Sequence, residues 1–268
     1  MPVVGAAYLS PRAREALTES GVGYVDTTGN LRLEVSAPGI LISDSGADRD
    51  PWPADHQLNS LRGRGAGAAV RAIIDNQAPF GVRQLADITG VPAPTLSRVI
   101  VLLDREGIVA RKPRGPVLDV DWQGAIRRWA EDYGQLTSNR PTMLLDPRGL
   151  RTTEHRLASA SFKYAATGAF AARRFSPVAP ARTASLYVED PIEAANQLNL
   201  REVDAGANVV LLEPFDPAVL AGATTRDGLT CVAPSQLAVD LLTGPGREPS
   251  QGEALLEWMA DNESVWRS

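Results

Sequence analysis

Hydrophobic and polar positions in residues 1–55 follow the pattern of a small α/β module. Ser10 and Pro11 suit the N-cap and the first turn of a helix. The elements predicted are a helix over 12–20, a turn over 26–30, and strands over 31–35 and 39–43. Residues 44–59 show no periodicity and contain two prolines, so we predict that they form a linker.

Residues 60–120 carry the clearest periodicity of the chain. Apolar side chains recur at helical spacing at Ala66, Ala69, Val70, Ile73 and Ile74. Two further helices are predicted over 82–89 and 94–106, the second ending at Gly107, and two short strands then surround a tight turn at 113–116. Helix, helix, turn, helix and β-hairpin is the element order of a winged helix-turn-helix.

The same spacing separates inward from outward positions in the second and third helices. Leu85 and Ile88 are predicted to point inward. The inward positions of the third helix are Leu96, Val99, Ile100 and Leu103. Its outward positions are Thr95, Ser97, Arg98, Val101 and Arg105. Pro92 stands where such turns often carry Ser or Thr, so the third helix is predicted to begin at Pro94.

Residues 121–268 mix both periodicities. An amphipathic helix is indicated by Trp122, Ile126, Trp129 and Tyr133. The elements predicted after it are a helix near 157–174, strands over 185–188 and 208–213, and helices over 234–242 and 251–262. The predicted fold class is therefore α+β, with a central winged helix-turn-helix (60–120) between the N-terminal module (1–55) and a C-terminal mixed α/β domain (121–268).

Composition excludes several classes of protein. With one Cys the chain has no intrachain disulfide framework, and its two His residues lie far apart in sequence, which argues against a histidine-based metal site. No apolar run reaches the length of about 18–20 residues that spans a bilayer, and the N-terminus does not read as a signal peptide. We expect a cytoplasmic protein without cofactor, metal or membrane partner.

Net charge is distributed unevenly along the chain. The whole chain has a formal charge of −5, yet residues 60–118 contain nine bases and four acids, which gives +5. The flanking segments, 1–59 and 119–268, are acidic, at −4 and −6. A basic segment in an acidic protein indicates a nucleic-acid interface, and the acidic flanks would orient that segment toward DNA.

The residue types in this basic segment fit double-stranded DNA. A recognition helix enters the major groove with short polar and arginine side chains outward, and Arg98 is the best candidate for reading guanine. Arg114, between two prolines at the hairpin tip, could contact phosphate or the minor groove. The predicted DNA-binding residues are Arg62, Arg64, Thr95, Ser97, Arg98, Arg105, Arg111, Lys112 and Arg114. Arg105 and Arg71 could instead be solvated helix faces.

The segment VRQLADITGVPAPTLSRVIVLLDREGIVARKPRGPVLDVDW resembles winged-helix regions of actinobacterial regulators of the MarR/IclR-like kind. The flanking segments GVGYVDTTGNLRL, YAATGAFAARRF, GANVVLLEPFDP and VAPSQLAVDLLTGPGR are similar to AbiEi-family antitoxins of type IV toxin–antitoxin systems. That resemblance implies a winged helix that binds promoter inverted repeats and a C-terminal region that neutralises a nucleotidyltransferase-like toxin. The chain departs from the family in that residues 1–59 precede its winged helix.

Two catalytic alternatives are rejected on their residues. A nucleotidyltransferase would need carboxylates at positions 185 and 187, which are Ser185 and Tyr187, so we expect a degenerate scaffold around the turn 167–169. A restriction-nuclease site would need a Lys after Asp26 on the next strand, and no Lys precedes Lys112. Asp26 and Asn30 are instead predicted to form a turn.

The sequence therefore predicts a sequence-specific DNA-binding transcriptional regulator, a repressor, and not an enzyme. An inverted-repeat operator would require a homodimer or cooperative binding. The alternative is an antitoxin whose C-terminal domain neutralises a partner toxin protein.

Overall fold

The computed structural model describes residues 2–48, 51, 58–63, 65–113, 115–176 and 180–268. The fold is mixed α+β, as predicted. The chain divides into two compact units, residues 1–56 and 57–268. This division falls in the predicted linker, and residues 60–120 and 121–268 belong to the same unit.

The first unit is a four-stranded sheet with one helix. Its elements are β1 (Val3–Ala6), α1 (Pro11–Glu19), β2 (Gly23–Asp26), β3 (Leu31–Ser36) and β4 (Gly39–Asp44). The strands lie in the order β1-β2-β3-β4, with β1 parallel to β2 and the other pairs antiparallel. Ser10 is the N-cap of α1, as predicted, because its Oγ accepts the N–H of Ala13 at 3.2 Å. Strands β1 and β2 were not predicted.

Asp26 organises the turn between β2 and β3. Its Oδ1 accepts hydrogen bonds from the backbone N–H groups of Thr28 and Asn30, at 2.9 and 3.1 Å. Its Oδ2 accepts the N–H of Leu9 and the Nδ2–H of Asn30, both at 2.9 Å. Burial opposes ionisation, but these hydrogen bonds hold the pKa of Asp26 well below its usual range. The turn-forming role predicted for Asp26 and Asn30 is confirmed.

The second unit begins with helices and a short hairpin. Its first elements are α2 (Ala66–Asp75), α3 (Val82–Thr89), α4 (Ala93–Arg105), β5 (Val109–Arg111), β6 (Val117–Val120) and α5 (Trp122–Asp132). Strands β5 and β6 pair antiparallel, and Phe80 forms a bridge to Val117 beside them. Gly107 has a φ of 75°, the left-handed conformation predicted for the residue that follows the helix.

A seven-stranded sheet occupies the rest of the second unit. Its elements are β7 (Arg140–Leu145), α6 (Leu150–Leu157), β8 (Tyr164–Thr167), α7 (Gly168–Ala172), β9 (Ala184–Val188), α8 (Pro191–Gln197), β10 (Arg201–Glu202), β11 (Val209–Glu213), a 3-10 helix (Pro217–Leu220), β12 (Thr224–Arg226), β13 (Leu229–Cys231), α9 (Pro234–Leu242), α10 (Glu248–Asp261) and α11 (Glu263–Trp266). The strand order is β10-β7-β11-β9-β8-β13-β12. The β11–β9 and β13–β8 pairs are parallel, and the other pairs are antiparallel.

Three expectations are wrong in detail. The single helix near 157–174 is a helix end, a strand and a short helix, because β8 is buried in the sheet and sheet packing overrides the helix propensity of its alanines. Ile88 is 64% exposed instead of inward, since only Leu85 of α3 is buried. Helix α4 begins at Ala93, one residue before Pro94.

Helix α2 packs against helices from both parts of the second unit. It packs against α4 on one side and against α5, α9 and the 3-10 helix on others. All five of its predicted inward residues are buried. Arg71 of α2 donates from Nη1 to the carbonyl of Ala218 and from Nη2 to that of Ala221, each at 2.5 Å. A single hydrophobic core therefore runs through residues on both sides of position 120.

Candidate nucleic-acid interface

The solvent face of α4 carries the side chains predicted to read DNA. Its four predicted inward residues are all buried, which fixes the rotation of the helix. Thr95 and Ser97 are half-buried, and Arg98 is exposed. The Nε of Arg98 donates to the carbonyl of Pro94 at 3.3 Å, and no carboxylate pairs with Arg98 among the described residues. The structure thus brings Thr95, Ser97 and Arg98 together at the N-terminal half of α4.

Arg105, at the other end of α4, lies in a different environment. One of its guanidinium nitrogens, Nη2, donates to the carbonyl of Leu58 and to Oδ1 of Asn59, both at 3.2 Å. These bonds join the end of α4 to the segment that precedes α2. Because Nη2 is engaged in this way, Arg105 fits a structural role better than base or phosphate contact.

The hairpin residues also divide into paired and exposed groups. The Nε of Arg111 lies 2.8 Å from Oδ2 of Asp104, so this ion pair offsets its charge. Lys112 is exposed and forms no ion pair within the described chain. The backbone of Lys112 closes the turn by accepting the N–H of Gly115 at 2.8 Å. Arg114 lies outside the described residues.

The predicted phosphate contact before α2 is weakened by carboxylates. The Nε of Arg62 lies 3.4 Å from Oδ1 of Asp132, although the Arg62 side chain is 76% exposed. The N–H of Gly65, the residue at the start of α2, donates to Oδ2 of Asp216 at 2.9 Å. A phosphate at this helix end would meet the Asp216 carboxylate. Arg64 lies outside the described residues.

Arg83 on α3 is a basic residue that the sequence analysis counted but did not assign to the site. It is exposed and has no ion pair among the residues described. Helix α3 precedes α4, and its exposed face also carries Ile88. Helical spacing could have indicated the exposure of Arg83. Leu85 is the buried residue of this short helix, and a residue two positions before it lies on the opposite side.

A buried polar network that the sequence did not predict joins residues of the sheet, α9 and the end of α5. Oδ1 of Asp240 accepts hydrogen bonds from the hydroxyls of Tyr133 and Tyr187, at 2.8 and 3.0 Å, and from the Gln236 side-chain amide at 3.0 Å. Its Oδ2 accepts the hydroxyl of Thr167 at 2.5 Å. Burial raises the pKa of Asp240 to about 6, although these hydrogen bonds favour the ionised form.

The tyrosines of this network are held in their neutral form. Burial, followed by the nearby charge of Asp240, raises the pKa values of Tyr133 and Tyr187 well above their usual range. Both hydroxyls therefore donate to the Asp240 carboxylate at neutral pH. Residues separated by more than fifty positions meet here, which no local pattern could show.

The turn 167–169 binds a carboxylate of the protein itself. The N–H of Ala169 donates to Oε1 of Glu248 at 3.0 Å, and a Cβ at Gly168 would come within 2.8 Å of the same oxygen. Burial is the main factor that raises the pKa of Glu248. Glu248 thus occupies the space in front of this turn, and Ser185 and Tyr187 are buried in β9.

The described residues contain no group of three or more His, Cys, Asp or Glu side chains that could hold a metal ion. None of the described helices combines the length and the apolar character that crossing a membrane requires. No family model, curated protein or solved structure matches the chain.

Proposed function

We propose that residues 60–120 form a winged helix-turn-helix that binds double-stranded DNA in a sequence-specific manner, and that the protein is a transcriptional repressor. The observation that carries the proposal is the exposed Arg98 beside Thr95 and Ser97 on α4. Arginine that is exposed and not paired with a carboxylate can bond the O6 and N7 atoms of guanine. The element order α2, α3, α4, β5, β6 supports the same proposal.

Two exposed bases extend this surface. Lys112 belongs to the hairpin and Arg83 to α3, and each would contact phosphate instead of base edges. Contacts to phosphate position the protein, whereas those of α4 specify the sequence. In this proposal a homodimer or two cooperating copies bind an inverted-repeat operator.

The C-terminal region has a supporting role in this proposal. We propose that residues 121–268 are a degenerate nucleotidyltransferase-like scaffold, as the AbiEi resemblance implies, and that the protein is not an enzyme. Glu248 at the turn 167–169 and the absence of carboxylates at Ser185 and Tyr187 support this part of the proposal. The antitoxin role stays a prediction, and co-purification with the product of an adjacent toxin gene would test it.

DNA binding is tested directly by fluorescence anisotropy. The labelled probe is DNA from upstream of the protein's own gene, titrated at several salt concentrations with and without scrambled competitor. We expect binding that survives competitor and that weakens as salt rises, because phosphate contacts release counterions. Equal, weak binding to both sequences would overturn the proposal.

A pair of charge variants locates the DNA surface. Ser97→Glu puts a carboxylate on the face of α4 proposed to enter the major groove, where repulsion from DNA phosphates opposes binding. Ser250→Glu adds the same charge on the exposed side of α10. We expect Ser97→Glu to abolish specific binding and Ser250→Glu to leave it within about twofold, in line with the screening of distant surface charges. Equal effects would show that DNA binds elsewhere.

A further inference from the structure

The second unit contains a cavity of about 570 Å³ among α2, the end of α5, the 3-10 helix and α9. Its walls come from residues 61–63, helix α2, the end of α5 with the turn after it, the segment 215–219, and α9. Small-molecule sites commonly have about this volume, in the range of roughly 300–1,000 Å³, and commonly lie between structural layers. The cavity is separate from the solvent face of α4.

The polar floor of the cavity is built by the buried network. Gln236 is 3% exposed and lines the cavity. Its Nε2 donates to Asp240 at 3.0 Å and to the Tyr133 hydroxyl at 3.3 Å. Its Oε1 accepts no hydrogen bond from the part of the chain that is described. Since a carbonyl oxygen that accepts no protein hydrogen bond can accept one from a ligand, Gln236 is suited to bind an N–H or O–H group of an occupant.

Neighbouring Asn139 contributes rigidity to the floor. Its Nδ2 donates to the carbonyl of Gln135 at 2.7 Å and to the Tyr133 hydroxyl at 3.0 Å. Its Oδ1 accepts the N–H of Phe215 at 3.1 Å. These bonds fix the floor and the start of the segment 215–219 in one geometry.

Three charged side chains around the cavity, Arg71, Asp132 and Asp216, already have hydrogen-bond partners within the protein. Asp132 accepts the N–H of Leu61 at 2.7 Å and bonds Arg128 at 2.8 Å. Asp216 accepts two backbone N–H groups, and both Nη groups of Arg71 bond carbonyls. A charged occupant would lose its hydration to groups whose hydrogen bonds are already directed to other parts of the protein, which disfavours ions.

Aromatic side chains supply the apolar part of the wall. Trp129 and Phe215 line the cavity, and Phe215 is 44% exposed. Gly67 allows Trp129 to pack closely against α2, because a Cβ at position 67 would lie 3.0 Å from Cζ2 of Trp129. Aromatic walls favour planar aromatic ligands, which can stack or meet the rings edge to face.

We propose that this cavity binds an uncharged, planar aromatic molecule that carries a hydrogen-bond donor, with the donor directed to Oε1 of Gln236. This ligand contacts both α2 and α9 and is a small-molecule effector of the proposed regulator, a role that rests on the proposed function. Ligand binding itself does not require DNA. The experiment below contains no DNA, so its failure and a failure of DNA binding are distinguishable.

The test uses three probes of the same shape and different charge. Calorimetric titration of the full chain compares 2-naphthamide, which is neutral and has an N–H donor, with the anion 2-naphthoate and the cation 2-naphthamidine. We expect 2-naphthamide to bind with a dissociation constant below about 1 mM, a value suited to an unoptimised probe of this size. Equal affinity for the three probes, or no saturable binding of 2-naphthamide, would overturn the proposal.

Two substitutions that fill the cavity place the binding site. Ala68→Phe adds a ring from α2, and Thr137→Phe adds one from the exposed turn that lines the cavity mouth. Ala260→Phe adds the same ring on the exposed side of α10 as the matched control. We expect each cavity variant that retains the wild-type circular dichroism to weaken 2-naphthamide binding by about tenfold or more, in line with loss of a well-packed pocket. Because Thr137 is exposed, that variant keeps the test decisive if Ala68→Phe does not fold, and unchanged binding to Thr137→Phe would overturn the proposal.

Discussion

Arginine side chains have opposite environments on the two sides of the helical region α2–α4. On the side that packs against the 3-10 helix, Arg71 is 6% exposed and its two Nη groups bond the carbonyls of Ala218 and Ala221. On the solvent side, Arg98 is exposed and has no carboxylate partner among the described residues. The first arrangement holds the unit together, and the second leaves a cation available to a ligand.

This comparison changes the meaning of the +5 charge of residues 60–118. Four of its nine bases are engaged by other parts of the protein, namely Arg62, Arg71, Arg105 and Arg111. Arg83, Arg98 and Lys112 are exposed without an ion pair in the described chain, and Arg64 and Arg114 lie outside it. The net charge identifies residues 60–118 as a basic segment. Burial and pairing with other groups of the protein determine which of its basic side chains can contact DNA.

The largest expected effect is on the packed side. Arg71→Met keeps most of the apolar stem but removes the donors to Ala218 and Ala221. The Ala221 carbonyl then loses its donor, whereas the Ala218 carbonyl keeps only the backbone N–H of Ala221. We expect the free energy of unfolding, measured by urea denaturation, to fall by about 2–4 kcal/mol. Arg83→Met, on exposed α3, is the control and is expected to change it by less than about 0.5 kcal/mol. Similar losses for both variants would contradict the contrast between the two sides.

Asp240, on the packed side, makes stability depend on pH. Its pKa is about 6 in the folded protein against a model value of 3.8, so the folded state binds its proton more tightly than the unfolded state. The stability from this carboxyl is therefore fully present below about pH 4 and is lost as pH rises through 6. The loss amounts to about 3 kcal/mol, from roughly 1.4 kcal/mol per unit of pKa shift.

The measurement is urea unfolding at intervals between pH 4 and pH 7. We expect the wild-type protein to lose about 2–3 kcal/mol relative to Asp240→Asn over this range, since the asparagine does not titrate. Asp261→Asn, at an exposed position of α10, supplies the control. Parallel curves for the wild-type protein and Asp240→Asn would mean that Asp240 is ionised in the folded state throughout.

Local periodicity was sufficient to predict the helices of the region that we propose binds DNA. The inward positions of α2 and α4 are all buried, because a strong apolar stripe fixes the rotation of a helix. In α3 the stripe is short, and the expectation that Ile88 points inward was wrong. The outward set of α4 was therefore predictable, but the pairing of Arg105 and Arg111 was not.

The sheet and the buried network were harder to predict. Strand β8 contains two alanines and resembles the start of a helix, and its burial between β9 and β13 decides its conformation. Tyr133, Tyr187 and Asp240 come from α5's end, β9 and α9, so their meeting depends on the whole topology. The cavity above them has the same origin, which is why sequence patterns gave no sign of it.

On the solvent side, Arg98→Ala should affect DNA and not the fold. We expect operator affinity to weaken by about 1–3 kcal/mol, with relaxed preference at the base pair that Arg98 contacts. Stability should change by less than about 0.5 kcal/mol, because the side chain is exposed. Anisotropy with operator variants and urea unfolding give the two readouts.

The matched variant for this comparison is Arg105→Ala, on the same helix. Since Arg105 bonds Leu58 and Asn59, we expect it to change stability more than Arg98→Ala does and to change base preference less. An unchanged operator affinity for Arg98→Ala would show that the recognition helix has been placed incorrectly.

The smallest expected effect compares two adjacent bases of the hairpin. Lys112→Ala removes an exposed cation proposed to contact phosphate, so the slope of log affinity against log salt should fall by about 1. Arg111→Ala removes a cation that is already paired with Asp104 at 2.8 Å, and its slope should change by clearly less. Anisotropy titrations between 50 and 200 mM salt, a range over which phosphate contacts give roughly 10³–10⁵-fold effects in strong binders, resolve this difference. A larger change in slope for Arg111→Ala than for Lys112→Ala would mean that DNA displaces Asp104 from Arg111. Ion pairing in the free protein would then not identify which basic side chains can contact DNA.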